Sequence, residues 1–252
     1  MKKFLSIIIP CYNEAENIKQ GVLSEVDNYL NKQKFSWEVI ISDDESTDDS
    51  WNLVEKFIEG KNNYIHLKNK HGGKPFAVRN GLEKAIGEWV LFTDMDQATP
   101  IEEFDKIYSL TSRYNIIIGS RGTTRKNFPL YRKIASFAFL NFRRLLILPK
   151  IIDTQCGFKA FKRDIALKIF SLLEVFSSKV KAKGWRVSAY DVELIFLANK
   201  LGYEVAEVPV KWADRDISAN KKRSFIKESK AMLMEIFRVR VNDLLGEYEF
   251  NK

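Results

Sequence analysis

Phe4-Leu5-Ser6-Ile7-Ile8-Ile9, followed at once by Pro10-Cys11-Tyr12-Asn13-Glu14, is the stretch whose reading decides the rest of the 252-residue chain. Behind Met1-Lys2-Lys3 it imitates the start of a secretory signal, whose apolar region runs over about 7–15 residues. Here the run stops after six residues at Pro10 and charged residues follow. It therefore reads as a first β-strand, and the chain is expected to stay in the cytoplasm.

Outward from that strand, apolar β-rich runs alternate with helical periodicity. Further strands are predicted at Glu38 to Ser42, Tyr64 to Leu67, Trp89 to Thr93 and Asn115 to Gly119, and helices at about Glu14 to Leu30, Asp48 to Ile58, Pro75 to Ile86 and Ile101 to Ser112. Strand and helix in strict alternation give the α/β class, a mostly parallel sheet with helices on both faces. No Pro, Gly or Ser-rich linker divides the chain, and 45% of its residues are hydrophobic. One domain over residues 1–220 is expected, followed by a basic helix and tail over 221–252.

Charge is concentrated. Residues 121–150 hold eight Lys or Arg and no acid, so the other 222 residues balance at 33 against 33. As a helix from about 129 to 148, this segment sets Arg132, Lys133, Arg143 and Arg144 within an arc of about 120°. Its other side carries Ile134, Phe137, Phe139, Phe142, Leu145 and Leu148. Such a helix suits a membrane interface, with cations at lipid phosphates, and is too interrupted to span a bilayer. Lys211 to Arg240 adds nine cations against four acids, with Met234, Ile236 and Phe237 as a second apolar side. Nucleic acid is not the expected partner, because no zinc-finger, RNP or helix-turn-helix pattern accompanies the charge. Two cysteines far apart, Cys11 and Cys156, and two histidines make no zinc pattern and require no disulfide.

In open parallel sheets ligands bind beyond the carboxyl ends of the strands, and the polar motifs stand there. Asp94 and Asp96, one residue apart, point the same way in extended chain, as two ligands for a hard cation such as Mg²⁺ or Mn²⁺ do. Asp43 and Asp44 can accept from a base N–H or a ribose hydroxyl, while Asp48 suits a helix cap. His71 to Arg79 joins Gly72-Gly73-Lys74 to Pro75 at a helix start, a setting of backbone amides and cations that favours phosphate. It is neither a Walker loop nor a dinucleotide fingerprint. Residues 152–159, polar between apolar flanks, suit a loop lining a cleft. Asp191 and Glu193 open an apolar helix.

Taken together these segments resemble family two glycosyltransferases of the GT-A fold, most closely the dolichyl-phosphate β-glucosyltransferase and polyprenyl-phosphate glycosyltransferase branch. Ser6 to Glu14 and Asp43 to Asp48 match the general family. Gly72 to Gly81, Asp94-Met95-Asp96-Gln97-Ala98-Thr99, Gly119-Ser120-Arg121, Asp153 to Lys159 and Asp191 to Leu194 carry the closer likeness, in order over roughly residues 4–215.

The resemblance implies that Pro10, Tyr12, Glu14, Asp43, Asp44, Lys74, Arg79, Asp94 and Gln155 serve the nucleotide-sugar donor, and that Asp94 and Asp96 hold Mg²⁺ or Mn²⁺ on its diphosphate. Arg121 and the Asp153 to Lys159 loop would lie near an acceptor phosphate, and Asp191 near the sugar. The implied reaction moves a hexose, chiefly glucose from UDP-glucose, onto dolichyl or undecaprenyl phosphate with inversion, at the cytoplasmic face of a membrane. A lipid phosphate is already anionic and needs no general base; Asp153 and Asp191 stand as base candidates for a hydroxyl acceptor.

Members of this branch usually carry an N-terminal membrane helix, absent here, so attachment is expected through the basic helix or a separate anchor protein. Related mannosyltransferases have Gln where this chain has Ala98, which disfavours GDP-mannose. The alternatives are a GDP-mannose-dependent polyprenyl-phosphate mannosyltransferase, a transferase acting on a glycan hydroxyl, and a non-catalytic sugar-nucleotide or membrane-binding module.

Overall fold

The computed structural model describes residues 3–122, 140–177, 190–217 and 225–248. The part of the basic helix holding Arg132 and Lys133 lies outside the described residues.

Seven strands form one sheet: β1 (Lys3–Cys11), β2 (Trp37–Asp43), β3 (Tyr64–Lys68), β4 (Gly87–Phe92), β5 (Ile116–Ser120), β6 (Lys159–Lys162) and β7 (Val205–Pro209), in the order β3-β2-β1-β4-β6-β5-β7. The five strands expected from the sequence are present, each shifted by no more than a few residues. β1 pairs in parallel with β2 and β4, β2 with β3, and β5 with β7. β6 runs antiparallel to both its neighbours. That reversal has a positional effect: the carboxyl ends of the six other strands share one rim, and β6 meets the same rim with its amino end. The loop preceding β6 therefore arrives beside the loops that follow the others.

The inner strands β1, β2, β4 and β5 read as apolar-rich runs because both faces are covered. Ile8, Ile40, Val90, Phe92, Ile116, Ile118 and Phe161 face one core. It is closed by α4 (Lys74–Lys84), α7 (Arg163–Leu172), α8 (Tyr190–Lys200) and α9 (Phe225–Leu244). Leu5, Ile7, Ile9, Val39, Ile41, Leu91 and Ile117 face the other. Over them lie α2 (Val22–Leu30), α3 (Ser50–Ile58) and α5 (Phe104–Tyr108). The single helix expected from Glu14 to Leu30 is two, α1 (Ala15–Lys19) and α2, because Gly21 takes a left-handed φ of 86° and breaks the ladder. The helix expected from Ile101 to Ser112 is shorter, a 3₁₀ turn at Ile101–Glu103 running into α5.

Helix α6 is described over residues 140–146. One expectation fails here. Arg143, placed by periodicity on the exposed basic arc, is 2% exposed. Periodicity fixes angles around a helix but not which side meets the core, and Arg143 turns inward while Arg144 stays at the surface. Ile147 and Leu148 are buried as well, and Phe142 packs on Phe237 of α9 at 5.2 Å between ring centroids.

Helix α9 is seated on the body by Ile236 and Val239, both fully buried, and by Arg238. The guanidinium of Arg238 pairs with Glu193 at 2.8 Å and with Glu235 and Glu174, and Tyr248 donates to Glu193 at 2.9 Å. Among the described residues no helix is long and apolar enough to cross a membrane.

Candidate active site

Parallel packing brings the ends of β1 and β2 side by side, Cys11 opposite Asp43. Asn13, in left-handed backbone, spans the two loops: its amide donates to Ser46 Oγ at 3.0 Å and its Oδ1 accepts the Thr47 amide at 2.8 Å. Tyr12 is exposed and lies against His71, 4.7 Å between ring centroids. Pro10 is half-buried beside them. Glu14 is buried, its carboxylate accepting from Asn17 Nδ2 at 2.5 Å.

Asp43 and Asp44 have different partners and do different work. Asp43 Oδ1 accepts the Ser46 amide at 2.8 Å, and its Oδ2 is buried and accepts no hydrogen bond. Both oxygens of Asp44 are engaged: Oδ1 takes the Gly72 amide at 2.9 Å and Oδ2 the Gly73 amide at 2.8 Å, with His71 Nδ1 at 3.0 Å. The glycine amides read from the sequence as a phosphate cradle are thus filled by an internal carboxylate, and Asp44 anchors the loop.

What that loop delivers to the rim is Lys74, whose Nζ lies 2.5 Å from Asp94 Oδ1. Burial alone would lower the ammonium pKa; Asp94, Tyr190 and Asp191 outweigh it and hold Lys74 charged, above its ordinary range. Arg79, farther along α4, is turned to Glu83 at 2.9 Å and over the Phe176 ring.

Asp94 and Asp96 stand in a tight turn after β4, with Gln97 in left-handed backbone and its Nε2 donating to the Asp94 carbonyl at 2.8 Å. Burial pushes the Asp96 carboxyl up to about 6, opposed by the Ala98 amide and reinforced by Asp94, Asp216 and Glu14. Asp216 is a neighbour that strand and helix periodicity did not reveal. It arrives on the segment after β7, which is tied down by Ala213 N–H to the Ala98 carbonyl at 2.9 Å, by Arg215 on Glu25, and by the Ile217 amide on Asn17. Among the described residues no three His, Cys, Asp or Glu side chains are grouped to hold a metal ion. The two carboxylates of Asp94 and Asp96 match the donor count of a Mg²⁺ or Mn²⁺ ion whose shell is completed by phosphate and water.

The loop before β6 forms the other half. Asp153 receives Arg121 Nε at 2.7 Å and Nη2 at 2.8 Å, the Arg121 amide at 3.1 Å and the Gln155 amide at 3.0 Å. Burial would raise the Asp153 carboxyl; Arg121 more than reverses that and holds it well below the ordinary carboxylate range. A carboxylate so stabilised is a poor proton acceptor, which weighs against Asp153 as a general base. Arg121 also lies over the Trp212 ring at 5.7 Å. Lys159, fully buried at the start of β6, pairs with Asp191 at 2.7 Å and donates to the Cys156 carbonyl at 2.5 Å. The described Cys11 and Cys156 are free thiols.

Gly157 joins the halves. A Cβ built there would lie 2.1 Å from Asp94 Oδ2 and 2.7 Å from its Cγ. Gly157→Ala is expected to push the Asp94 carboxylate aside and weaken Mn²⁺-dependent UDP binding by about 10- to 100-fold, the range for displaced metal-site geometry, with the fold retained. Calorimetric titration checks this, and an unchanged affinity would remove the coupling.

With a carboxylate pair and a lysine on one side of a sheet switch and an arginine-bearing loop on the other, the rim has the layout of a nucleotide-sugar transferase. The chain belongs to glycosyl transferase family 2, matched over residues 6–170, and is a glycosyltransferase of the GT-A fold. Within that family it is similar to the dolichyl-phosphate β-glucosyltransferase of Dictyostelium discoideum, 34% identical over 263 residues covering 96% of this chain and 76% of the relative. Two solved structures share the fold. Mycobacterium tuberculosis glucosyl-3-phosphoglycerate synthase, held with Mn²⁺, UDP and glucosyl-3-phosphoglycerate, superposes with a TM-score of 0.58 at 18% identity, over 99% of this chain and 81% of that one. S. aureus TarS 1-349 gives a TM-score of 0.52 at 21% identity, over 81% of this chain and 58% of that one.

Proposed function

We propose that the protein transfers glucose from UDP-glucose to a polyprenyl phosphate, with inversion, at the cytoplasmic surface of a membrane. The observation that carries the reading is the contact of Gly157 with Asp94: the loop that holds Arg121 through Asp153 abuts the carboxylate pair, so an anionic acceptor and a diphosphate donor would share one junction.

On the donor side, the unsatisfied Oδ2 of Asp43 is an acceptor that a nucleobase N–H would satisfy. Asp94 and Asp96 would hold a divalent cation, which when bound offsets charge on the departing diphosphate. Their fit rests on the donor set, two carboxylates one residue apart in the turn that Gln97 and Ala98 close. Lys74, fixed as a cation beside Asp94, adds a second positive group for the phosphates. Gln155 and Tyr12 border the same cleft in this reading.

On the acceptor side, a phosphate oxygen attacks the anomeric carbon as the bond from that carbon to the UDP oxygen breaks. No proton moves, so no general base is assigned. Arg121 attracts the acceptor phosphate, and Asp153 fixes the direction of its guanidinium. Asp191, held by Lys159, faces the sugar. The work of the chain is alignment and charge neutralisation.

A membrane surface suits the exposed face of α9. Leu233, Met234, Phe237, Val241 and Leu244 are exposed large apolar residues, and at 100° per residue they fall within about 100° of one another. Phe142 links this stripe to α6, whose Leu145 is 83% exposed. Such a stripe fits interfacial insertion; a separate anchor protein would reinforce it. Leu145→Glu combined with Phe237→Glu is expected to abolish sedimentation with anionic liposomes while UDP binding persists. Undiminished sedimentation would remove this face from the membrane contact.

The reading is tested by incubating the protein with radiolabelled UDP-glucose, UDP-galactose, UDP-GlcNAc or GDP-mannose, a short polyprenyl phosphate, and Mg²⁺ or Mn²⁺. Lipid-soluble product is expected from UDP-glucose. Product from GDP-mannose alone would replace the donor, and UDP binding without product from any donor would overturn the acceptor.

A further inference from the structure

The side chain that departs furthest from its sequence-based place is Arg143. Its Nη1 donates to Thr154 Oγ1 at 2.9 Å, and its Nη2 to the carbonyls of Ile151 at 2.9 Å and Ile152 at 2.6 Å. These residues bracket Asp153. The opposite side of the same short segment is held by Glu207 of β7, which accepts the Ile152 and Asp153 amides at 2.8 and 2.7 Å. A third tie is Arg121 on the Asp153 carboxylate. Two residues beyond Gln155, the segment presses Gly157 against Asp94.

Helix α6 thus has two ends to its function. Residues 143 and 145 lie about 200° apart around a helix: Leu145 projects outward and Arg143 reaches the loop. A guanidinium suits the inward role because its rigid fork serves two carbonyls and a hydroxyl at fixed angles, which an ammonium does not.

We propose that Arg143 is a positioning residue for the acceptor: it holds the 151–157 loop from the helix side, so that the surface helix α6 sets where Arg121 and Gly157 stand relative to the donor phosphates. This rests on reading the acceptor as a polyprenyl phosphate. Arg143 makes its hydrogen bonds to the loop and acts through Asp153 and Arg121.

The test compares wild-type protein with Arg143→Lys and Thr154→Val. Transfer is measured with saturating UDP-glucose and varied short-chain polyprenyl phosphate, with rates expressed per UDP-binding site counted by calorimetry with Mn²⁺. Arg143→Lys is expected to raise the acceptor KM or lower kcat by about 10- to 100-fold, as misplacement by an ångström does, with UDP affinity within about twofold of wild type. Thr154→Val should shift the same parameters in the same direction by less. Amide exchange at Ile152 and Asp153 should quicken in both variants while β1 to β4 keep their protection. A residue that merely supports the fold would lower UDP binding and transfer together, and that result overturns the proposal, as would unchanged acceptor kinetics. If Arg143→Lys does not fold, Thr154→Val decides. A wild-type protein that binds UDP but glycosylates no polyprenyl phosphate sinks the acceptor reading; the exchange rates at Ile152 and Asp153 then still decide whether Arg143 holds the loop.

Discussion

Asp94→Asn is expected to cut glucose transfer by on the order of 10³-fold, the scale for losing one strong electrostatic contact to a departing anion. Three consequences meet at this carboxylate. The ion pair at 2.5 Å with Lys74 is lost, leaving a half-exposed ammonium without the carboxylate that most favours its charge. One of the two carboxylates that match a divalent ion is gone. The amide also places an N–H₂ group where Gly157 approaches within contact. The loss should appear in kcat per folded molecule and in Mn²⁺-coupled UDP affinity, while the melting temperature moves little, because Asp94 is half-exposed at the rim. Transfer within tenfold of wild type would show that the reaction does not depend on this pair.

Arg121→Met is expected to have the largest effect on stability, about 3–5 kcal/mol, because removing one partner of a buried ion pair strands the other. Asp153 would keep its backbone donors and lose the two guanidinium contacts. The pH dependence should change sign. In the wild type the folded pKa of Asp153 is depressed, so its stabilisation is present above the unfolded value of about 3.9 and fades only as pH falls below it. Between mild acid and neutrality the wild-type contribution is flat. In the variant, burial without Arg121 raises the folded pKa above the unfolded one, so the folded state favours the neutral carboxyl. The variant should then gain stability as pH falls toward mild acid. Urea unfolding of both proteins across that range checks this, and a difference that stays constant with pH would show that Asp153 does not depend on Arg121 for its charge state.

The central fold was legible because β1, β2, β4 and β5 are mostly buried and so appear as apolar-rich runs between helical periods, with the half-buried edge strand β3 a shorter run of the same kind. β6 was not, for a physical reason. Lys159-Ala160-Phe161-Lys162 begins with a lysine that is buried only because Asp191, 32 residues away, neutralises it. No local pattern carries that pairing. β7, Val205-Ala206-Glu207-Val208-Pro209, is likewise too short and mixed to stand out and is defined by its partner, Ile116 opposite Val205.

The candidate site was legible as a set of strand ends, and less so as chemistry. Asp43 and Asp44 are adjacent, equally buried and equivalent on paper, yet the first, at the end of β2, keeps an open acceptor and the second, just past it, takes the Gly72 and Gly73 amides. Arg143 and Arg144 are equally basic neighbours, and only the core decides that the first is interior. Asp216 is brought to Asp96 by a segment tied to Asn17 and Glu25, nearly two hundred residues earlier. Such placements depend on contacts distant in sequence, which periodicity cannot express.

The reversed direction of β6 carries a last implication. β5 ends and β6 begins on the same rim, so residues 121–158 leave the sheet and return to it at one edge. They form an excursion with both feet side by side. Closing a longer or shorter excursion costs little, since loop entropy grows only slowly with length, and no strand need shift. The loops that follow β1, β2 and β4 would stay in place. On the acceptor reading proposed above, exchanging residues 121–158 between relatives is expected to carry the lipid preference with the graft and leave the sugar nucleotide unchanged, and a lipid preference that stays with the host chain would overturn that reading.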